Sequence, residues 1–145
     1  MRQMSWGISH EPLVPSLAGQ EPVYLVNAIK AYRNHDRSSD EAMPEKTNEQ
    51  IENLAAYYSI QKSEASVEAP LSGQEIAAKC DRCHNPASGK RKLNVPVLRG
   101  QSHEYLVKAM QEYRREDRDN SMMHKMSSRY SDEMIQAIAT YYASQ

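Results

Sequence analysis

The chain has no phenylalanine, one tryptophan and only two cysteines in 145 residues. Two cysteines cannot build the disulfide framework of a small secreted scaffold. No apolar run approaches the roughly 20 residues of a membrane span, so no membrane-spanning helix is expected. Arg2 is not followed by an apolar stretch, so no signal peptide is expected in this chain, and export would need a signal outside this numbering. Charge of one sign is also missing. The formal net charge is -1, which excludes a chain-wide electrostatic grip on nucleic acid. No Gly-x-Gly-x-x-Gly occurs, and no alternating apolar pattern marks a strand. Apolar residues reach only 39% against 26% charged. A core built from so polar a chain is small, or is completed by something that is not protein.

What is present is a repeat. Shifted by 81 positions, residues 15–37 fall on 96–118 with 12 identities in 23 positions. They include Pro15/Pro96, Gly19/Gly100, Gln20/Gln101, Tyr24/Tyr105, Tyr32/Tyr113 and Arg37/Arg118. A second block matches at an offset of 84, where Ile51, Ala55, Tyr57 and Tyr58 meet Ile135, Ala139, Tyr141 and Tyr142. The small, polar stretch from Gln61 to Pro70 reads as a linker. The division expected is 1–62, a linker over 63–70, and 71–145.

Both halves have helical period. Thr47 and Gln50 form a capping box ahead of the stripe Ile51, Leu54, Ala55 and Tyr58. Ser102 caps a helix with Tyr105, Leu106, Ala109, Met110 and Tyr113 on one face. Ser131 caps a last helix with Ile135, Ile138, Ala139 and Tyr142. Ser72 or Gly73 opens a helix from Gln74 to Cys80 that has no copy in the first half. The fold class is all-α. The nine tyrosines are expected in half-buried places with their hydroxyls in water, and a role in docking the halves is the sharper alternative.

Cys80-Asp81-Arg82-Cys83-His84 is C-x-x-C-H, the attachment signature of c-type haem. Two thiols add across the haem vinyl groups, and the adjacent histidine supplies the proximal imidazole. A thioredoxin-like pair wants neighbouring strands, and none is visible. A zinc site wants four ligands, and His10, His35, His103 and His124 fall in no paired motif. The sixth iron ligand is sought among Met122, Met123, His124 and Met126, with Met123 expected and Met122 or Met126 as alternatives.

The order of motifs then resembles a known family. The C-x-x-C-H is followed by Pro96-x-Leu98-x-Gly100-Gln101-x-x-x-Tyr105-Leu106, Tyr113-Arg114, Arg118, a Met pair, Ser131-Asp132-Glu133 and a helix ending Tyr141-Tyr142. This resembles the tandem class I cytochromes c of the c-four type, found in bacterial periplasms. It looks closest to the cytochrome subunit of flavocytochrome c sulfide dehydrogenase. The resemblance implies two tandem cytochrome c-like domains, one covalent haem c, His84 and Met123 as axial ligands, and Arg99 against a haem propionate. It implies an electron-transfer subunit with no catalysis of its own and a periplasmic place. Its partner would be an FAD-bearing flavoprotein dehydrogenase subunit, or other redox proteins. Such relatives usually carry two haems. Here the copy of the haem helix falls before the start of the numbering, so residues 1–62 read as a haemless remnant, with Met43 lacking a proximal histidine and Trp6 and tyrosines, or a partner's surface, covering the empty face; the alternative is a longer natural chain with two haems.

Charge is split between the halves. Six basic and ten acidic residues leave 1–70 at -4, whereas twelve and nine leave 71–145 at +3. Gly89-Lys90-Arg91-Lys92 is expected either to rim a haem edge and steer an acidic partner or to be a solvated loop. Arg114-Arg115-Glu116-Asp117-Arg118 reads as a solvated helix end.

Overall fold

The structure is a computed structural model that describes residues 13–38, 44–62, 71–86 and 88–145. Trp6, His10, Met43 and the linker 63–70 lie outside the described residues.

Among the described residues six helices follow one another: α1 Pro22–Arg33, α2 Asn48–Ser59, α3 Leu71–His84, α4 His103–Arg114, α5 Ser121–Ser127 and α6 Asp132–Ala143. No strand occurs among the described residues, and none of the helices is long and apolar enough to cross a membrane. The helices start where their caps demand. Thr47 and Gln50 close the capping box, with Gln50 N–H donating to Thr47 Oγ1 at 3.2 Å and Thr47 N–H to Gln50 Oε1 at 2.9 Å. Ser102 and Ser131 each accept from the backbone N–H three residues on, at 3.3 Å.

α3 starts at Leu71, just ahead of Ser72 and Gly73, and extends past Cys80 to His84, so the attachment residues occupy its last turn. The Met-rich stretch is also a helix. Asn120 Oδ1 accepts from Met123 N–H at 2.9 Å and starts α5.

α1 packs on α2, α3 and α4 pack on α6, and α5 packs on α4. In the second group the core is Ala77, Leu106, Val107, Ile135, Ile138, Ala139 and Tyr142. The four expected positions of α6 are all buried. On α4 the expected stripe missed Val107, which is buried beside Leu106. Gly73 fixes the α3–α6 crossing. A Cβ there would stand 2.5 Å from the Ala137 carbonyl oxygen and 3.1 Å from Tyr141 Cβ. Gly73→Ala must therefore push two helices apart. A loss of about 1–3 kcal/mol is expected, read by denaturant unfolding. An unchanged midpoint would show that the crossing has slack.

The repeat is structural as well as textual. Gly19 N–H donates to Tyr58 O and Gly100 N–H to Tyr142 O, both at 2.9 Å. Gly19 and Gly100 share a positive φ of 69° and 68°, the conformation that favours glycine. Arg33 ties the end of α1 to Lys46 O and Asn48 Oδ1, and Arg114 ties the end of α4 to Tyr130 O and Asp132 Oδ1. The duplicated tyrosine pairs stack edge to face at 5.3 and 5.1 Å.

The copies also exchange equivalent contacts. Ser16 N–H donates to Gln101 Oε1 at 2.6 Å, and Gln101 Nε2 donates to Ser16 O at 2.8 Å. Val97 N–H donates to Gln20 Oε1 at 2.6 Å, and Gln20 Nε2 donates to Val97 O at 2.8 Å. Arg37 donates to Tyr105 Oη at 2.5 Å and Arg118 to Tyr24 Oη at 2.9 Å. Each guanidinium lies 4.6 Å from its own copy's ring centroid, Tyr32 or Tyr113. Arg118 is thus half-buried between the copies and not part of a solvated helix end. These tyrosines take the docking role and not the solvent-reaching one. Burial raises the Tyr105 phenol, but Arg118 and Arg37 outweigh it and hold the group below its ordinary value.

Candidate haem site

The last turn of α3 presents Cys80, Cys83 and His84. Three and four residues apart, Cys80, Cys83 and His84 share one side of a helix end. Neither cysteine forms a disulfide, and Cys80 is half-buried and Cys83 exposed. Burial first, and then the neighbouring Asp81 charge, pushes the Cys80 thiol up to about 11. A redox-active C-x-x-C needs the opposite, a depressed nucleophilic thiolate. Among the described residues no group of three or more His, Cys, Asp or Glu is gathered to hold a metal ion.

His84 is buried at 9% exposure. Its Nδ1–H donates to the Pro96 carbonyl at 2.8 Å, because a carbonyl can only accept. Nε2 is left with its lone pair, the tautomer an imidazole ligand requires. Burial is the largest influence and lowers His84 below the usual imidazole value, against the raising effect of the Pro96 hydrogen bond. The ring is therefore neutral at neutral pH. Tyr142, on α6, anchors the same turn. Its hydroxyl is 2.6 Å from Asp81 Oδ1 and 3.2 Å from Ala77 O. Burial and that hydrogen bond keep the phenol protonated. Neutral oriented imidazole, paired thiols and an apolar flank of Cys80, Leu98, Met110 and Tyr130 against the core fit a covalently held haem.

Of the sixth-ligand candidates, Met122 is 62% exposed and Met123 is half-buried. One turn along the same face from Met123 lies Ser127, fully buried, whose Oγ donates to Met123 O at 2.6 Å. Met126 is also half-buried. His124 Nδ1–H donates to Tyr113 O at 2.9 Å, and its Nε2 lies 4.0 Å from Glu116 Oε1. Arg99 is exposed. The basic loop is only partly solvated. Lys90 and Lys92 are exposed, but Arg91 bonds Glu21 of the first copy at 2.9 Å and Val95 O at 3.0 Å. That contact, like the exchange between Gln20 and Val97, had no sequence signal beyond the repeat itself.

Comparison with known proteins agrees with this geometry. The family described as cytochrome C oxidase, cbb3-type, subunit III matches residues 68–141. Cytochrome c4 of Thiocapsa roseopersicina is 30% identical over 93% of this chain and 80% of its own length. The thiosulfate dehydrogenase electron acceptor of Thiomonas intermedia is 30% identical over 90% of this chain and 70% of its own length. The solved cytochrome c4 of Acidithiobacillus ferrooxidans superposes with a TM-score of 0.79 at 23% identity, covering 94% of this chain and 92% of that one.

Proposed function

The chain belongs to the cytochrome c4-like family of class I c-type cytochromes, electron-transfer proteins with covalently bound haem c, and on that premise we propose that it is a periplasmic carrier with one haem per chain of this sequence. The observation that carries the site assignment is His84, held by Pro96 as a neutral Nε2 ligand at the end of a C-x-x-C-H helix. Cys80 and Cys83 would hold the porphyrin through thioethers, His84 and Met123 would ligate the iron, and Arg99 would meet a propionate. When bound, the haem supplies one-electron exchange between ferrous and ferric iron. The residues around it set access and potential, and the chain makes no bonds on a substrate.

In this reading residues 1–62 are a docking domain, 63–70 a linker and 71–145 the haem domain. The electron donor is an FAD-bearing dehydrogenase subunit of the flavocytochrome sulfide dehydrogenase type. The relative named as a thiosulfate dehydrogenase electron acceptor supports a second reading, a separate carrier that serves such an enzyme. Purification from the native cell separates the two. Co-elution with a flavin chain whose complex reduces the haem with sulfide is expected from the first. A lone cytochrome reduced by thiosulfate dehydrogenase supports the second. Reduction by neither would overturn both donor assignments.

A further inference from the structure

Pro96 and Val97 share one peptide group. Its carbonyl accepts the His84 Nδ1–H at 2.8 Å. Its N–H donates to Gln20 Oε1 at 2.6 Å. Gln20 belongs to the other copy of the repeat, is 6% exposed, and is fixed at both ends of its amide. Oε1 also accepts from Glu21 N–H at 2.9 Å, and Nε2 donates to Val97 O at 2.8 Å. A continuous hydrogen-bonded path thus runs from a side chain of the first copy, through one peptide bond, to the imidazole of the second.

We propose that Gln20 is a positioning residue for His84, through which the first copy lowers the reduction potential of the haem held by the second. The inference rests on His84 being the proximal iron ligand. The peptide is a resonance system, so a hydrogen bond accepted from its N–H moves electron density onto its oxygen. Linked hydrogen bonds strengthen one another. The Pro96 oxygen then pulls harder on Nδ1–H, and the ring gains imidazolate character at Nε2. A more basic ligand favours the ferric state. Glu21 and Arg91, paired at 2.9 Å beside this path, hold the two segments in register.

The repeat provides its own control. Gln101 makes the same two bonds in the other direction, to Ser16 N–H and Ser16 O, and it does not touch the Pro96–Val97 peptide through them. Gln20→Leu and Gln101→Leu remove the same number of contacts between the copies and conserve side-chain bulk. Both variants of the haem-loaded chain are compared with the parent by spectroelectrochemical titration and by proton NMR of the ferrous state. Gln20→Leu is expected to raise the ferrous-to-ferric ratio at fixed ambient potential by roughly two- to fivefold, about 20–40 mV at 59 mV per tenfold. It also moves the His84 Nδ1–H resonance upfield, while Gln101→Leu leaves both in place. Equal shifts in the two variants would assign the effect to loosened docking and overturn the proposal. No shift in Gln20→Leu would overturn it equally. A parent spectrum without an iron-bound His84 ring is a different failure, since it removes the ligand assignment before any variant is compared, and the tuning path falls with it.

Discussion

Met123→Ala is expected to abolish the near-infrared sulfur-to-iron absorption of the oxidised protein and to let the ferrous form bind carbon monoxide at neutral pH. Axial ligands spread haem potentials over about 0.8 V, and methionine beside histidine raises them. The potential should therefore fall by on the order of 100 mV. The same change at Met122 or Met126 should leave all three properties close to the parent. The reason lies in α5. Asn120 starts it, and its face is fixed by Ser127, which has no exposure at all. Met123 lies one turn before Ser127 on that inward side. Met122 is three-fifths exposed, and Met126 follows it by one turn. His124 donates Nδ1–H to Tyr113 O, and its Nε2 lies 4.0 Å from Glu116 Oε1. If Met126→Ala removes the absorption and Met123→Ala keeps it, the assignment passes to Met126.

Replacing Cys80 and Cys83 together by serine should have the other large effect. Covalent haem is lost, by at least tenfold in a pyridine haemochrome assay after acid-acetone extraction, and the fold weakens with it. The core of the second copy has seven buried apolar residues, two of them only alanines, Ala77 of α3 and Ala139 of α6. Leu98, Met110 and Tyr130 are only partly buried against it. A haem against that flank adds the apolar surface the chain does not provide. Its loss is expected to lower Tm by on the order of 10–20 °C, several kcal/mol at about 4–8 °C each. A double variant that melts with the parent would mean that the protein core is sufficient alone.

Much of this was legible in the residues, for reasons that differ from place to place. Caps at Thr47, Ser102 and Ser131 are local chemistry, and each formed as its sequence required. The buried stripe of α6 follows from helical period alone. The C-x-x-C-H motif is a fixed spacing, and the end of α3 at His84 agrees with it. What stayed hidden depends on pairs distant in sequence. Arg118 stands in a run of mixed charge, and nothing local says that it reaches Tyr24 across 94 positions. Arg91 looked like one more basic residue of a loop until Glu21 was found beside it. Gln20 and Gln101 were visible as a repeated identity, but only the fold reveals that each grips the other's copy. α5 was missed because seven residues with three methionines show little period.

The most direct single measurement is the intact mass of the native chain after acid-acetone extraction, taken with its visible spectrum. A polypeptide of this sequence heavier by one haem, still coloured and with no thiol left at Cys80 or Cys83, is the predicted result. A colourless chain at the bare polypeptide mass, with both thiols open to alkylation, would contradict the haem assignment on which the function rests.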